Sequence, residues 1–478
     1  MLATIPTDIL FEIVAHLELS DAVSLTLTCT GLRQLASERN FWILILNSAR
    51  ISTPIGCPAL LDLSIYPLSK LKHLALSQLT LEQTWSAQHP QLRPIRPFQA
   101  ANLPEPAIII HSVQGTDVLI LHVPNTGEIY CWDKREARLF PGVTHRIPTS
   151  GSITSVSVPN DSDGLSRESV AVIVRSWGFL VTYWQYIITV RHKNGKATAL
   201  EYEASEITRS PDFSGLGCLF FDPHVTGCLT IDSALNVWLS TAARDHSPNN
   251  NAVTYERVAQ LYNNSGQIAS CCFTYRGHIY NTLEVPGGQS FRIFHLSRQL
   301  VQSKHQIPST HDVYQYTVAI EGGNTQMENA ESICFNLPTS PQYGICAVFV
   351  RSDDLTVWFT FVPCAPATTE SAVTSPLDFP FNALVAKISG VLVNRVLVWL
   401  DHSGHNLAAV IRRPDGPRLT LVRYHPGNER RPATTSEHWL QTPAGIDLLA
   451  TKSCCIDDTS GTVHLVDQDA VFHTLNYV

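Results

Sequence analysis

Several common features are scarce or missing in this sequence, and each shortage excludes a class of protein. Basic residues do not dominate, because 33 Lys and Arg stand against 41 Asp and Glu and the net charge is -8. The sequence therefore lacks the positive balance that drives nonspecific binding to DNA or RNA, and we expect no nucleic-acid partner. The 12 cysteines include no C-x-x-C pair, which argues against a zinc site and against a disulfide framework.

Targeting and membrane signals are also weak. The segment from Met1 to Phe11 has no basic stretch followed by a long apolar core, so we expect no secretory signal and a cytosolic or nuclear location with reduced thiols. One apolar run, residues 170–190, is interrupted by Arg175 and Gln185 as its only strongly polar residues. A membrane span is the alternative, but the turn signal Ser-Trp-Gly at 176–178 and the flanking β-branched and aromatic residues favour two buried strands.

Catalytic motifs are missing as well. The sequence contains no P-loop, no G-x-S-x-G and no H-E-x-x-H, so hydrolase and kinase functions have no motif to support them. We expect a noncatalytic chain without cofactor or metal. With 478 residues, 44% hydrophobic and 15% charged, the chain is long and apolar enough for one large globular domain and a smaller one.

The first 46 residues form the smaller unit. Pro6 suits the first position of a helix that we expect to run to about His16, with Asp8 near its positive end. Ser20 and Asp21 are expected to cap a second short helix. A third helical face and an aromatic segment follow, with the residues Leu32, Leu35, Ala36, Phe41, Trp42, Leu44 and Ile45.

The apolar surface of this unit is large for its size. About 45 residues are too few to bury it internally, so we expect part of it to contact a partner. The alternative is an ordinary three-helix cap on the following domain.

The order and spacing of these residues resemble the F-box. The resemblance rests on Ile5-Pro6-Thr7-Asp8-Ile9-Leu10, Ile13, Leu17, Leu19-Ser20-Asp21, Leu25, Cys29, Leu32-Arg33, Leu35 and Trp42. Two positions depart from the family pattern: Ile5 stands where Leu is usual, and Gly31 stands where a bulkier or basic residue is frequent.

The resemblance implies a trihelical module that binds the Skp-type adaptor of a cullin-RING ubiquitin ligase. The residues that it implies for adaptor binding are Ile5, Pro6, Ile9, Leu10, Ile13, Leu17, Leu19, Leu25, Leu27, Leu32, Leu35 and Trp42.

Residues 47–100 are expected to form a helical, proline-rich linker. Leucines recurring at helical spacing predict a helix over Leu68 to Trp85, between two groups of prolines. The leucine-rich helix that ends in Leu81-Glu82-Gln83-Thr84-Trp85 resembles the linker of fungal F-box proteins. Its expected role is to hold the adaptor and the cargo site at a fixed distance, which matters because ubiquitin transfer depends on effective concentration.

Residues 101–478 are expected to be all-β. Seven strand segments end in a large apolar residue, with intervals of 41 to 66 residues: Trp132, Trp184, Trp238, Phe294, Trp358, Trp399 and Leu465. This repeat predicts a seven-bladed β-propeller, with six or eight blades left open. Two unrelated β-sandwiches with chance aromatic spacing are the alternative.

Two polar segments are candidate sites in the β region. Asp401, His402 and His405 could bind zinc or act as acid and base, although a polar hairpin turn explains them more simply. An arginine-rich segment could receive an acidic or phosphorylated cargo, and the alternative is a solvated hairpin around Asp415-Gly416. Its arginines are Arg412, Arg413, Arg418, Arg423, Arg430 and Arg431.

Together these observations predict the substrate-receptor subunit of a Skp-cullin-F-box type ubiquitin ligase, with an unknown protein substrate recruited through the β domain. The alternative is an F-box scaffold outside the ligase, or a β-propeller that binds a ligand in its channel.

Overall fold

The computed structural model describes most of residues 5–478. The segments outside the described residues are 53–54, 58–61, 114–115, 147–150, 158–168, 178–180, 194–195, 209–212, 222–224, 235, 244–251, 263–269, 276–277, 286–289, 298–313, 321–330, 336–344, 353–354, 366–382, 394–396, 402–403 and 426–431.

The N-terminal part is helical. Its helices are α1 (Thr7–Ala15), α2 (Leu19–Leu27), α3 (Thr30–Arg33), α4 (Arg39–Ser52) and α5 (Leu68–Trp85), with 3₁₀ turns at Gln34–Ser37 and Leu63–Ile65. Helix α5 has the bounds that the leucine spacing predicts. The aromatic segment after α3 belongs to a fourth helix of 14 residues, α4, whereas the sequence pattern indicates only that this segment follows a third helical face.

The start of α2 differs from the sequence prediction. The helix begins at Leu19 with Glu18 as its N-cap residue, and no side chain caps it. The expected cap by Ser20 and Asp21 is therefore wrong, because both residues already lie inside the first turn. Asp21 still places a negative charge near the positive end of the helix dipole.

The helices share one apolar core. Val14, Phe41, Leu46, Leu71 and Ala75 are fully buried in it. Because Leu71 and Ala75 belong to the first half of α5, the linker helix completes the core of the N-terminal bundle.

The rest of the chain is built from strands. In chain order they are β1 (Phe98–Asn102), β2 (Ile108–Ser112), β3 (Val118–Val123), β4 (Glu128–Asp133), β5 (Arg138–Arg146), β6 (Gly151–Ser157), β7 (Ser169–Trp177), β8 (Val181–Lys193), β9 (Lys196–Thr208), β10 (Phe213–Phe221), β11 (Val225–Asp232), β12 (Val237–Ala243), β13 (Ala252–Thr254), β14 (Glu256–Tyr262) and β15 (Ser270–Tyr275). They continue with β16 (His278–Glu284), β17 (Ser290–Ser297), β18 (Tyr314–Ala319), β19 (Glu331–Phe335), β20 (Ile345–Ser352), β21 (Thr356–Ala365), β22 (Leu384–Ser389), β23 (Val391–Leu392), β24 (Val398–Leu400), β25 (Asn406–Arg413), β26 (Gly416–His425), β27 (Thr434–Trp439), β28 (Thr451–Asp457), β29 (Thr462–Asp467) and β30 (Val471–Asn476).

These strands form seven sheets, which are the blades of a β-propeller. The blades are β2-β3-β4-β5, β6-β7-β8-β9 with β13 at its edge, β10-β11-β12-β14, β15-β16-β17-β18, β19-β20-β21-β22, β23-β25-β26-β27 with β24 also paired to β25, and β28-β29-β30-β1. The ring closes because β1, the first strand, pairs with β30, the last strand, and because β2 of blade 1 contacts β28 of blade 7. The seven-bladed propeller predicted from the sequence is thus confirmed.

The large apolar residues that predicted the blades do not all occupy the same strand. Trp132, Trp184, Trp238, Phe294 and Trp358 lie on the third strands of blades 1 to 5. Trp399 lies on β24, in the first strand of blade 6, and Leu465 lies on β29, the second strand of blade 7. The shortest and the longest interval in the sequence arise from this change of strand.

The apolar run 170–190 forms two adjacent antiparallel strands, β7 and β8, as predicted. Val172 and Val174 on β7 and Ile188 and Val190 on β8 are buried against blade 1. In the part of the chain that the structure describes, no helix is both long and apolar enough to cross a membrane.

Candidate partner-binding surfaces

Helices α1 and α2 expose apolar side chains. Ile9 and Ile13 lie one turn apart on α1, with 47% and 38% of their surface exposed, and Leu27 at the end of α2 is 69% exposed. Side chains of this size on so small a unit are expected to contact another molecule. We call these three residues, with the partly buried Ile5, Leu17, Leu19 and Leu25, the F-box face.

The twelve residues implied for adaptor binding divide into two sets. Pro6 and the seven residues of the F-box face are at least partly exposed. Leu10, Leu32, Leu35 and Trp42 are buried in the core of the bundle, and the indole N–H of Trp42 donates to the Ala36 carbonyl at 2.9 Å. These four side chains therefore hold the helices together in the isolated chain.

The second half of α5 packs on the propeller. Leu81 and Trp85 are buried in a core that they share with strands of blades 6 and 7. The β28–β29 turn comes so close that a Cβ on Gly461, which has a φ of +67°, would lie 2.8 Å from Leu81 Cδ1. A side chain at this turn would thus clash with the helix as well as strain the backbone.

An ion pair between Glu82 and Arg423 connects α5 to blade 6. The Arg423 guanidinium on β26 donates to Glu82 Oε2 at 2.7 Å and to Ser86 Oγ at 2.8 Å, and its Nε donates to Asn406 Oδ1 at 3.0 Å. Arg423 is 5% exposed. Arg423 therefore bonds both to the end of α5, through Glu82 and Ser86, and to the neighbouring strand β25, through Asn406.

The chain after α5 continues along blade 6. Gln441 N–H donates to the Pro90 carbonyl, and Gln441 Oε1 accepts from Leu92 N–H at 2.9 Å. A ring nitrogen of His438 lies 2.8 Å from the Ala87 carbonyl oxygen. We call α5 together with residues 86–92 the arm, because one continuous segment joins the core of the helical bundle to the edge of the propeller.

The arginine-rich segment does not form one surface. Arg423 is used by the arm, Arg412 is exposed on β25, and Arg430 and Arg431 lie outside the described residues. The segment is a β-hairpin around Asp415-Gly416, as the alternative interpretation predicts. Sequence alone could not separate Arg423 from the others, because its partner Glu82 lies 341 positions away.

Two of the arginines meet at Trp439 on the outer strand of blade 6. The guanidinium of Arg418 lies 4.0 Å from the centre of the indole ring, and that of Arg413 lies 4.6 Å from it. The His89 ring, from the arm, is 5.4 Å from the same indole. Arg413 pairs with Glu437, and Arg418 pairs with Asp415.

An open groove of about 490 Å³ lies beside these residues. Its lining includes His89 and Gln91 from the arm, and Pro417, Arg418, Trp439 and Gln441 from blade 6. We call it the Trp439 groove. The sequence does not reveal Trp439 as part of a site, because its position does not fit the blade intervals and because an arginine-rich pattern does not indicate which aromatic residue lies beside it.

The Asp401 segment is a turn between β24 and β25. Asp401 is fully buried, and its Oδ1 accepts the backbone N–H groups of His405 and Asn406, both at 3.1 Å. The interpretation as a polar hairpin turn is confirmed, while His402 lies outside the described residues. Among the residues that can be placed, no three His, Cys, Asp or Glu side chains are grouped so that they could hold a metal ion.

Comparison with known proteins agrees with the N-terminal geometry. Residues 2–44 match the family model of the F-box domain. No curated protein matches the chain.

Among solved structures, the β-propeller domain of Cps50 (Swd1) from Myceliophteria thermophila is 12% identical with a TM-score of 0.43, and the match covers 79% of this chain and 98% of that one. The WD40 domain of SCAP from fission yeast is 8% identical with a TM-score of 0.37, with 80% and 95% covered. Hsv2 of Kluyveromyces lactis is 10% identical with a TM-score of 0.35, with 76% and 91% covered.

From the family match and the seven blades described above, the chain carries an F-box domain followed by a seven-bladed β-propeller.

Proposed function

We propose that this protein is the substrate receptor of a Skp-cullin-F-box type ubiquitin ligase. The observation that carries the proposal is the F-box face, an apolar surface on a domain whose family generally binds a Skp-type adaptor. In this proposal the adaptor covers the F-box face and connects the chain to a cullin, while the propeller holds a protein cargo.

The arm supports the proposal that the adaptor and the cargo bind to different parts of the chain. Its first half is part of the helical core and its second half is part of the propeller core, so the distance between adaptor and cargo is held by buried contacts. A fixed distance raises the effective concentration of a cargo lysine at the ubiquitin-transferring partner. The chain itself needs no catalytic group for this role, and we propose that it is noncatalytic and acts in the cytosol or nucleus.

The cargo is proposed to bind the propeller. Of the six arginines that the sequence suggested for this purpose, Arg412, Arg413 and Arg418 lie at or near the surface of blade 6. Arg423 is committed to the arm, and we leave it out of the proposed cargo site.

Adaptor binding is tested with two variants that carry the same type of change. Ile9→Asp/Ile13→Asp places charge in the F-box face, and Leu76→Asp places it at a 51% exposed position on α5, outside that face. We expect the wild-type chain and Leu76→Asp to co-elute with a purified Skp-type adaptor in size-exclusion chromatography. The F-box-face variant is expected to lose binding by at least about tenfold, since burying unpaired carboxylates is costly.

Circular dichroism and urea unfolding of the same variants provide the folding control. All three positions are exposed, so the free energy of unfolding is expected to change by less than about 0.5 kcal/mol per site. Failure of the wild-type chain to co-elute, or equal binding by the F-box-face variant, would overturn the proposal. Point variants are preferable to removal of residues 1–46, which would strip α5 of the helices against which Leu71 and Ala75 pack.

A further inference from the structure

Two histidines of blade 6 lie at the point where the arm continues beyond the end of α5. His438 on β27 is 7% exposed, and one of its ring nitrogens lies 2.8 Å from the Ala87 carbonyl oxygen of the arm. Its Nε2 lies 2.8 Å from Ser436 Oγ, and the same hydroxyl oxygen is 3.1 Å from Nε2 of His425 on β26. A chain of three hydrogen bonds thus leads from blade 6 to the backbone of the arm.

The direction of these hydrogen bonds follows from the Ala87 carbonyl, which can only accept. His438 Nδ1 must therefore carry a proton and donate it, which leaves Nε2 of the neutral ring to accept from the Ser436 hydroxyl. The Ser436 oxygen in turn accepts from His425 Nε2–H. The chain of bonds is complete with both imidazoles neutral.

Charged and titratable groups from the arm and from blade 6 surround the two imidazoles. They are Glu82 and His89 on the arm, His405 just before β25, Arg423 on β26 and Glu437 on β27. Both carboxylates already pair with a guanidinium, Glu82 with Arg423 and Glu437 with Arg413. A proton on either imidazole therefore adds positive charge to a cluster whose carboxylates are already neutralised.

The docked arm keeps these two rings neutral. Burial, with the Arg423 charge as a further cause, holds the pKa of His438 and of His425 below the usual value for histidine. When residues 86–92 leave blade 6, the His438 ring becomes exposed to water and its pKa returns towards about 6.5. Below that pH the separated state binds more protons than the docked state, so acid favours separation.

We propose that protonation of His438 and His425 releases residues 86–92 of the arm from blade 6, so that this segment is an acid-sensitive gate at the Trp439 groove. The segment supplies His89 and Gln91 to the lining of the groove, and its release removes that wall. The inference goes beyond the proposed receptor function and does not depend on adaptor binding or on the identity of a cargo.

Helix α5 itself is expected to stay in place. Leu81 and Trp85 are buried among apolar side chains of blades 6 and 7, and a proton on a histidine does not weaken apolar burial. Release is therefore confined to the segment that follows Trp85.

Hydrogen exchange of the full chain, measured by mass spectrometry, detects this release. The reporter amides are those of Leu92 and Gln441, because Leu92 N–H donates to Gln441 Oε1 and Gln441 N–H donates to the Pro90 carbonyl. The intrinsic exchange rate at each pH, divided by the measured rate, gives a protection factor. We expect this factor to fall by about tenfold between pH 7.5 and 5.5, because each histidine that is neutral only while the segment is docked contributes up to about tenfold over this range.

Amides of strand β25 distinguish local release from unfolding of the propeller. Leu407, Ala409 and Ile411 are fully buried, so their amides exchange when the propeller unfolds. We expect the reporter amides to remain less protected than these three at both pH values. Equal protection of the two groups at pH 5.5 would mean that the reporters exchange through unfolding, and it would overturn the inference.

The double variant His425→Gln/His438→Asn removes the titration and keeps the bonds. The side-chain amide of Asn can donate to the Ala87 carbonyl in place of His438 Nδ1, and that of Gln can donate to Ser436 in place of His425 Nε2. We expect its reporter amides to be equally protected at pH 7.5 and 5.5. The matched control is His73→Asn, an exposed histidine of α5, which is expected to lose protection as the wild type does.

A second measurement decides the question even if the double variant docks poorly. In the wild-type chain with ¹³C-labelled histidine rings, the His438 signal is assigned by its absence from His438→Asn, and we expect it to titrate below pH 6.5. Three results would each contradict the gate: constant protection of the wild-type reporter amides, an equal loss in the double variant, or a His438 ring that titrates at or above pH 6.5.

Discussion

Two buried histidines make the folded state sensitive to acid. His122 on β3 and His464 on β29 are each 1% exposed. Burial lowers the pKa of His122 to about 4, and burial together with the Lys134 ammonium lowers that of His464 to about 3. Both are neutral in the folded protein near neutral pH, while an unfolded chain protonates them below about pH 6.5.

We therefore expect the free energy of unfolding to fall as the pH is lowered from 6.5 towards 4. The sign follows from proton binding: in this range the unfolded state holds more protons than the folded state, so acid favours unfolding. Each histidine contributes up to about 1.4 kcal/mol per pH unit. Urea unfolding at pH 7, 6, 5 and 4.5 measures the slope.

The variant His122→Leu measures how much His122 alone contributes to the pH dependence of the free energy of unfolding. Neither ring nitrogen of His122 has a hydrogen-bond partner among the residues described, so an apolar side chain of similar size loses no bond and removes a desolvated polar group. We expect the variant to be more stable at pH 7 and less sensitive to acid. The exposed His73→Leu on α5 is the control, and an unchanged slope in His122→Leu would contradict the assignment.

At the scale of single residues, the sequence predicted which side chains are apolar and helical but not which way each one faces. Ile9 and Leu10 are neighbours in the same motif, yet one is 47% exposed and the other 6% exposed. The difference depends on α4 and α5 packing across α1 and α2, which are contacts between distant parts of the chain. For the same reason the surface arginines could be found from the sequence, but their stacking on Trp439 could not.

At the scale of elements, the two halves of α5 pack in two different apolar cores. Leu71, Leu74 and Ala75 belong to the helical core, and Leu81 and Trp85 belong to the propeller core. Leucine spacing predicted both bounds of this helix, because helical periodicity is a local property. The surface on which the second half of α5 packs belongs to strands far away in the sequence. The sequence could therefore predict a packed linker helix but could not predict that it packs on blade 6.

The ion pair between α5 and blade 6 gives a stability prediction. Glu82→Ala leaves the buried Arg423 guanidinium with Ser86 and Asn406 only. We expect the free energy of unfolding to fall by about 1–3 kcal/mol, below the cost of breaking a fully buried pair because the Glu82 side chain is 39% exposed. Urea unfolding measures the change.

A double-mutant cycle measures the interaction energy of Glu82 with Arg423 separately from the energies of their other contacts. Arg423→Met and the double variant complete the cycle, and we expect a coupling energy of about 1 kcal/mol or more. Glu201→Ala is the matched control, because the Arg191–Glu201 pair is more than half exposed on both sides and surface pairs contribute little. A Glu82 variant that behaves like Glu201→Ala would show that apolar packing alone holds the arm.

At the scale of the whole molecule, the sequence pattern predicted a propeller of seven blades, with six or eight left open, but it gave no indication of how the ring closes. Aromatic residues at blade intervals reflect one supersecondary unit repeated along the chain. Closure instead pairs Phe98–Asn102 with the last strand, three residues before the expected start of the domain at 101. A strand that pairs with the far end of the chain leaves no sign in the local pattern.

A second contact across the same junction is a buried ion pair. Lys134, in the β4–β5 turn of blade 1, lies 2.5 Å from Asp457 Oδ2 at the end of β28 in blade 7, and both side chains are almost fully buried. Burial would raise the pKa of Asp457, but the Lys134 ammonium and hydrogen bonds from Lys134 and Thr459 hold it well below its usual value. The stability that this carboxylate contributes is complete above about pH 4 and is lost as the pH falls further.

Lys134→Met is expected to destabilise the ring by about 3–5 kcal/mol at pH 7, because it leaves the Asp457 carboxylate buried without its cation. Lys134→Met/Asp457→Leu removes both charges, and we expect it to recover most of the loss, since apolar replacements of buried pairs are often neutral. Urea unfolding of both variants, with the exposed Lys452→Met as the control, measures the order of stability. If the double variant were as unstable as Lys134→Met, lost side-chain packing at the junction of blades 1 and 7 would explain the effect in place of an unpaired charge.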